Sequence, residues 1–187
     1  MTRIVAGFAG SLGLQVPKSG TRPTSDRVRE AIFSALESRD AIRHARVLDL
    51  FAGSGALGLE ALSRGAKELV FVEQAVAASR ALQEQLARLG AERRSQVVEM
   101  GAARYLRGAA AAFDIVFLDP PFGRDALAEY IPLLDSGHWL KPGSQVYLEN
   151  EKAGGAPLLP AHWELLKSKS AGEVGYHLAR VSSREPK

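Results

Sequence analysis

The sequence predicts an α/β fold in which helices cover both faces of a mostly parallel sheet, and three observations support this prediction. From residue 46 onward, short apolar segments with the composition of strands alternate with segments of helical periodicity. The strand segments are apolar throughout, as expected for strands that are buried on both faces. Around residue 171, two strand segments follow each other across a glycine turn, so the last strand is expected to run antiparallel.

The elements of the main domain can be assigned in order along the chain. Strands are predicted at residues 47–51, 69–73, 96–99, 113–118 and 144–149, followed by the pair 164–169 and 174–181, which makes a sheet of seven strands. Helices are predicted at residues 56–64, 75–89, 102–109 and 125–134, with the alanine run 109–112 as a helix end. Gly65 and Gly90 are expected to end the first two helices, because glycine readily adopts the left-handed conformation of a helix cap.

Residues 1–24 are predicted to form a small extension before the main domain, which is assigned to residues 25–187. The extension is rich in Gly, Pro, Ser and Thr, and residues 4–7 and 12–16 are candidate strands of a hairpin. A helix is expected to follow, because Thr24 or Ser25 can cap its first N–H groups. The residues that would form its apolar stripe are Val28, Ile32 and Leu36.

The composition excludes several classes of protein. A chain of 187 residues is long enough for one domain with a full core. It has no cysteine, which excludes disulfides, thiolate metal sites and methylation through a covalent cysteine adduct. The four histidines are scattered, so no metal site is expected. No apolar run approaches the roughly 18 residues of a membrane span and the first residues do not resemble a secretory leader, so we expect a cytoplasmic protein without a membrane partner.

The positive charge is concentrated at the amino-terminal end. The formal net charge is +3, and residues 1–30 carry five basic and two acidic side chains, which account for the whole excess. The basic residues are Arg3, Lys18, Arg22, Arg27 and Arg29. A basic end on a near-neutral body predicts an anionic partner such as a nucleic acid, although a solvated tail would have the same composition.

A glycine-rich loop follows the first strand of the main domain. It has the spacing Gly53-x-Gly55-x-x-Gly58, and Glu73 lies 20 residues after Gly53, at the end of the next strand. Glycines let a ligand approach the backbone closely, and an acid at this place can bind a ribose, which S-adenosylmethionine and NAD both carry. The pattern also fits a structural glycine turn with Glu73 on the surface.

Asp49 is a second candidate ligand for a cofactor. It lies within the apolar run of the first strand, where a carboxylate is costly unless it has a partner. The amino group of a bound methionine moiety would be a suitable partner. The alternative is that the Asp49 carboxylate accepts backbone N–H groups of its own loop.

The segment Asp119-Pro120-Pro121-Phe122 follows the fourth strand directly and indicates which group the protein acts on. The prolines stiffen the loop and leave carbonyl groups without competing N–H donors. Asp119 and the Pro120 carbonyl can hold an exocyclic amine of a base and stabilise the positive charge that develops on it, while Phe122 can stack on the base. We therefore expect methyl transfer from S-adenosylmethionine to such an amine, with S-adenosylhomocysteine as product. By itself, the segment would also fit a proline turn that closes a strand.

These motifs together resemble the RsmD family of bacterial 16S rRNA guanine-N2 methyltransferases. The resemblance rests on residues 22–30, 49–65 and 119–122 and extends over nearly the full chain. It implies a Rossmann-like class I methyltransferase fold with seven strands, and an acceptor guanine at position 966 of 16S rRNA in the small ribosomal subunit or its assembly intermediate. We also expect a monomer that needs no metal.

The resemblance also implies roles for individual residues. The cofactor would lie beside Phe51, Ala52, Gly53, Ser54 and Gly55, with Glu73 on the ribose. The RNA would be held by Lys18, Arg22, Thr24, Arg27 and Arg29. Two features depart from the family pattern. Gly101, followed by Ala102, stands where relatives often have a polar residue for the cofactor adenine, and residues 10–14 of the extension carry no basic side chain.

Three other functions are compatible with parts of the pattern. The acidic proline loop would suit any planar amine, including adenine N6 in DNA or a protein glutamine. The glycine spacing also permits an NAD-dependent oxidoreductase, although this function does not explain the proline loop. A non-catalytic factor that binds pre-ribosomal RNA would keep the basic extension but has no use for Asp119.

Overall fold

The computed structural model describes residues 2–4, 7, 13–14, 26–121 and 126–183. The strands are β1 (Thr2–Arg3), β2 (Gly13–Leu14), β3 (Arg46–Asp49), β4 (Glu68–Glu73), β5 (Ser95–Glu99), β6 (Phe113–Leu118), β7 (Leu140–Glu151), β8 (Trp163–Ala171) and β9 (Val174–Val181). The helices are α1 (Asp26–Glu37), α2 (Ala56–Ser63), α3 (Val76–Arg88), α4 (Ala102–Leu106) and α5 (Ala126–Ser136). Short 3-10 turns lie at Glu92–Arg94 and Lys152–Gly154.

The main sheet has seven strands in the order β5-β4-β3-β6-β7-β9-β8. Strands β3 to β7 run parallel, and β9 is antiparallel to both of its neighbours, β7 and β8. The predicted mostly parallel sheet with an antiparallel last strand is confirmed. The chain enters this sheet at β3, near its middle, and continues outward through β4 and β5. It then returns to the other side of β3 and forms β6 there. This reversal between β3 and β6 is where open α/β sheets bind ligands, at the carboxyl ends of the strands.

Each face of the sheet carries its own hydrophobic core. Helices α1, α2 and α3 cover one face, with residues such as Phe33, Leu62 and Phe117 in that core. Helices α4 and α5 cover the other face, where Leu48 and Val116 are buried. Successive strand residues point to opposite faces, so the continuously apolar strands fill both cores. Among the described residues, no helix is long and apolar enough to cross a membrane.

Helix α1 is oriented by its buried apolar stripe and by an ion pair at its carboxyl end. Its predicted apolar stripe of Val28, Ile32 and Leu36 is buried. At its carboxyl end, Glu37 pairs with Arg64 (2.9 Å), which ends α2 at the amino-terminal edge of the sheet. The first turn of α1 therefore points toward the opposite edge, where the parallel strands end.

Arg64 links the two helices through a largely buried ionic cluster. Besides Glu37, it pairs with the fully buried Glu60 at 2.7 Å, and its guanidinium lies over the ring of Phe33, 5.1 Å from the centroid. The Phe33 ring in turn packs against Phe117 of β6 at 5.7 Å. This contact fixes α1 above β6.

Some boundaries differ from the sequence prediction. Helix α4 ends at Leu106, so the prediction that it extends to residue 109 with an alanine helix end is wrong. The backbone N–H of Gly108 bonds to the Tyr105 carbonyl and closes the helix, and the alanines that follow lead into β6. Strand β7 begins at Leu140 rather than 144, because its pairing with β6 continues across a register shift between Phe113 and Ile115.

The amino-terminal strands β1 and β2 pair antiparallel, with Thr2 opposite Leu14 and Arg3 opposite Gly13. This pairing agrees with the predicted hairpin, although β1 lies at residues 2–3 rather than 4–7. Apart from Ile4 and Gly7, the remainder of the extension lies outside the described residues.

Two glycines bring α2 and its loop close to their neighbours. Gly55 has a φ of 77°, and a Cβ atom there would lie 2.5 Å from Cδ1 of Leu82 in α3. A Cβ atom on Gly58 would overlap the ring of Phe71 in β4. Both positions therefore require glycine for space, and Gly55 requires it for backbone conformation as well.

Gly55→Ala is expected to lower the free energy of unfolding more than Gly90→Ala. Gly90 also has a positive φ, 62°, but a Cβ atom there would have no neighbour within 4 Å. Left-handed strain costs about 1–2 kcal/mol in both variants, and the overlap at Gly55 adds about 1–3 kcal/mol. Urea denaturation of both variants measures the difference, and equal losses would show that the close packing of Gly55 has no energetic effect.

Candidate active site

Four acidic side chains share one face of the sheet near its carboxyl-terminal edge. Asp49 is opposite both Phe71 and Phe117, and Phe117 is opposite Tyr147. Because side chains alternate between faces, the residues two positions further along β4, β6 and β7 share that face. These residues are Glu73, Asp119 and Glu149. The edge thus brings together the predicted acids of three strands and one acid that the sequence analysis did not select.

The glycine loop is held against the end of β4. The backbone N–H of Ala52 donates to the carbonyl of Val72 (3.1 Å), and the N–H of Gly55 donates to the carbonyl of Ala52 (2.7 Å). Gly53, like Gly55, has a positive φ, 53°. The loop consequently turns tightly at the reversal between β3 and β6, where the sequence predicted a cofactor.

Glu73 fixes this loop with both of its carboxylate oxygens. Oε2 accepts the N–H of Gly53 at 2.8 Å, and Oε1 accepts the N–H of Ala75 at 2.7 Å. The side chain is only partly buried, and each carboxylate oxygen can accept more than one hydrogen bond. Glu73 thus has a structural bond to the loop, and its bond to a ribose stays a prediction.

Asp49 is 2% exposed and accepts hydrogen bonds from its own loop. Its Oδ2 accepts the N–H of Gly58 at 3.1 Å, and the backbone N–H of Phe51 also donates to it. Burial raises the pKa of Asp49 from 3.8 to about 7, although these two hydrogen bonds act in the opposite direction, and the nearby charge of Glu73 raises it further. The structure therefore agrees with the alternative interpretation of Asp49, in which its carboxylate accepts backbone N–H groups of its own loop. Binding of a cofactor amine by Asp49 stays a prediction.

The other predicted cofactor residues surround the loop. Phe51 packs edge-on against Tyr130 of α5, with ring centroids 5.1 Å apart. Ala52 is buried and Ser54 is partly buried. Gly101 precedes α4 and lies beside Gln74, since a Cβ atom on Gly101 would be 3.5 Å from the Gln74 Oε1 atom. Ala102 follows as a buried first residue of α4.

The acidic proline loop continues β6 into the same edge. Asp119 is partly buried, Pro120 is buried and Pro121 is exposed. Strand β6 lies between β3 and β7, so Asp119 is close to the glycine loop on one side and to the end of β7 on the other. Phe122 lies outside the described residues.

Tyr147 and Glu149 are a buried pair that the sequence analysis missed. The Tyr147 hydroxyl donates to Oε2 of Glu149 at 2.5 Å, and the two residues are 0% and 2% exposed. Burial raises the pKa of Tyr147 well above its usual value, and the charges of Glu149 and Asp119 raise it further. An acid after an apolar strand run was the signal that selected Glu73, and the same signal was present at Glu149.

The structure separates the two arginines of α1 that were predicted to bind RNA. Arg27 is exposed on the first turn. Arg29 is 0% exposed and pairs with the Asp26 carboxylate, while its Nε and Nη1 have no hydrogen-bond partner among the described residues. Residues two apart on a helix face different directions, which explains why Arg27 is exposed and Arg29 is not. The burial of Arg29 disagrees with the expectation that it contacts RNA. Lys18, Arg22 and Thr24 lie outside the described residues.

Asp49→Asn is expected to stabilise the protein as the pH rises. The pKa of Asp49 is raised on folding from 3.8 to about 7, so the folded chain binds more protons than the unfolded chain between these two pH values. The stability that this group contributes is fully present below about pH 4 and is lost as the pH approaches 7. Asparagine keeps an acceptor for the N–H of Gly58 but carries no charge. The free energy of unfolding of Asp49→Asn should therefore exceed that of the wild type by an amount that grows with pH, to about 4 kcal/mol at most.

Urea denaturation between about pH 4 and pH 8 measures this difference. Glu84→Gln, at an exposed position of α3, is the control and should leave the pH dependence unchanged. A constant difference in stability between Asp49→Asn and the wild type at all pH values would contradict the raised pKa.

Comparison with known proteins places the chain in a family. The family model described as Conserved hypothetical protein 95 matches residues 2–180. Ribosomal RNA small subunit methyltransferase D of Escherichia coli K12 is 45% identical over 177 residues, covering 94% of this chain and 88% of that protein. The protein of the same name from Haemophilus influenzae is 40% identical over 181 residues, covering 94% and 92%.

A solved structure agrees with the sheet topology. The structure of yhhF from Escherichia coli matches with a TM-score of 0.90 at 42% identity, covering 98% of this chain and 99% of that chain. It carries a methyltransferase name, as do the two relatives. The predicted Rossmann-like fold of class I methyltransferases is thereby confirmed. From the family match and the relatives, the chain belongs to the RsmD family.

Proposed function

We propose that this chain methylates small-subunit ribosomal RNA with S-adenosylmethionine, and that the acceptor is the exocyclic N2 amine of a guanine in 16S rRNA. The observation that carries the proposal is the position of Asp119 and Pro120 at the end of β6, beside the glycine loop that follows β3. The names of the relatives at 45% and 40% identity support ribosomal RNA as the substrate.

The glycine loop would bind the cofactor at the carboxyl-terminal edge. Glu73 is close enough to Gly53 to hold the loop and would accept the ribose hydroxyls with its remaining lone pairs. Asp49 would pair with the amino group of the methionine moiety, which would offset the cost of ionising a buried carboxylate. The N–H groups at Gly101 and Ala102 would contact the adenine ring. The cofactor supplies an activated methyl group, so the proposed reaction needs no metal.

The acidic proline loop would position the acceptor. The lone pair of a guanine N2 amine is delocalised into the ring, so the nitrogen is a weak nucleophile. Hydrogen bonds from its two N–H groups to Asp119 and the Pro120 carbonyl would hold the nitrogen toward the methyl group and stabilise its developing positive charge. The nitrogen–carbon bond forms as the carbon–sulfur bond breaks, and the amine then loses one proton to Asp119 or to water.

The RNA would be held at the same edge by the amino-terminal part of the chain. The first turn of α1 points toward the ends of the parallel strands, and Arg27 is exposed there. We assign the extension of residues 1–24, with Lys18, Arg22 and Thr24, to the same role. The partner would be 16S rRNA in the small subunit or its assembly intermediate, bound by a monomer in the cytoplasm.

Asp119→Ala is expected to lose most methyl transfer while keeping its affinity for S-adenosylhomocysteine. The removed carboxylate acts on the amine, so the turnover number should fall by about 10²–10³-fold. Transfer of labelled methyl groups to small subunits from a strain without the gene measures turnover, and mass mapping of the rRNA locates the methylated base. Glu129→Ala, at an exposed position of α5, is the control.

Two outcomes of that experiment would contradict the proposal. Unchanged turnover in Asp119→Ala would remove Asp119 from the acceptor site. Label found in DNA, in a protein or on adenine, with none on a guanine of the rRNA, would refute the substrate.

Arg27→Glu is expected to weaken RNA binding and to reduce its dependence on salt. Each lost phosphate contact should reduce the slope of log K against log salt by about 1. Arg93→Glu is a suitable control, because Arg93 is exposed in the turn before β5, at the opposite edge of the sheet. An identical slope in Arg27→Glu and the wild type would place Arg27 outside the interface.

A further inference from the structure

Glu149 is a buried carboxylate to which the proposed chemistry gives no role. It is 2% exposed at the end of β7, where an ion costs several kcal/mol unless it is well compensated. The Tyr147 hydroxyl, which is itself fully buried, donates to its Oε2 at 2.5 Å. This bond fixes the orientation of the carboxylate.

The sheet places Glu149 next to Asp119. Strands β6 and β7 are parallel, with Phe117 opposite Tyr147 and Leu118 opposite Leu148. The next positions along the two strands are Asp119 and Glu149, on strands that lie about 4.7–4.9 Å apart. The rings of Phe117 and Tyr147 pack beneath them at 6.2 Å. The electrostatic influence of both acids on the Tyr147 hydroxyl agrees with this arrangement.

The edge beside β6 therefore brings three hydrogen-bond acceptors close together, namely Asp119, the Pro120 carbonyl and Glu149. A guanine carries donors in succession along its Watson–Crick edge, because the N2 amine is next to N1–H. In adenine, the amine is next to N1 with a lone pair, which would meet a carboxylate unfavourably. A carboxylate that meets a lone pair of one base and an N–H donor of another discriminates strongly between the two bases.

We propose that Glu149, oriented by Tyr147, is a specificity-determining residue of the acceptor site, which accepts the N1–H of the target guanine while Asp119 and Pro120 hold the N2 amine. This inference rests on the proposed function and adds the basis on which guanine is selected. Glu149 takes no part in the bond changes of methyl transfer.

The test uses small subunits reconstituted with guanine or 2-aminopurine at the mapped target position. 2-Aminopurine keeps the amine at C2 but has a lone pair at N1. Wild-type enzyme should have a higher kcat/KM for guanine, whereas in Glu149→Gln the side-chain amide can donate to N1 of 2-aminopurine. The guanine to 2-aminopurine ratio of kcat/KM is expected to fall by about tenfold or more. 2-Aminopurine also lacks the O6 atom of guanine, but this affects the wild type and Glu149→Gln alike. The change in the ratio between the two proteins therefore reports the contact at N1 alone.

Two further variants complete the experiment. Glu151→Gln, at an exposed position two residues further along β7, should keep the wild-type ratio. Tyr147→Phe removes the hydroxyl that orients Glu149 but keeps the ring in the core, so its ratio should fall by a smaller factor. It provides the decisive measurement if Glu149→Gln does not fold.

The outcomes separate this inference from the proposed function. A ratio that is unchanged in both Glu149→Gln and Tyr147→Phe, or equal losses on the two bases, would overturn the role of Glu149 and leave guanine methylation intact. Failure of the wild-type enzyme to methylate guanine subunits would refute the proposed function itself.

Discussion

The site depends on the parallel register of β3 with β4 on one side and β6 on the other. This register places the ends of the strands at one edge, so residues that are far apart in the chain, such as Asp49 and Asp119, become neighbours. The register is fixed because each strand is buried on both faces. A shift of one residue would move every core side chain to the wrong face. The hydrophobic cores therefore determine the geometry of the polar edge.

Much of the fold and part of the site could be predicted from the sequence. Alternating strands and helices, glycine helix ends and an antiparallel last strand are local patterns, and they also located Asp49, Gly53 and Asp119. Burial was harder to predict, because it depends on which face of an element meets the sheet. Arg29 was predicted to bind RNA together with Arg27, although the two lie two apart on a helix and Arg29 is fully buried. Glu149 was missed because its strand was interpreted only as core.

Among the described residues, two of the largely buried ionic groups serve different ends. Arg64 joins α1 to α2 through Glu37 and Glu60, far from the edge where the strands end, and so has a mechanical role in holding the helix layer. Asp49 lies near that edge, and its pKa of about 7 reflects burial that is only partly compensated. Buried ionisable groups whose desolvation is only partly offset by hydrogen bonds or opposite charges are common where a protein binds ligands.

The position of β9 between β7 and β8 has a consequence for biosynthesis. Every residue of the candidate site is synthesised before β9, yet β7 has only β6 as a partner until β9 pairs along it. The part of the sheet that contains Tyr147 and Glu149 is thus completed late, by long-range pairing that is slow to form. A chain truncated before residue 174 would contain the glycine loop but leave the edge of β7 unpaired, and an open sheet edge is prone to aggregation.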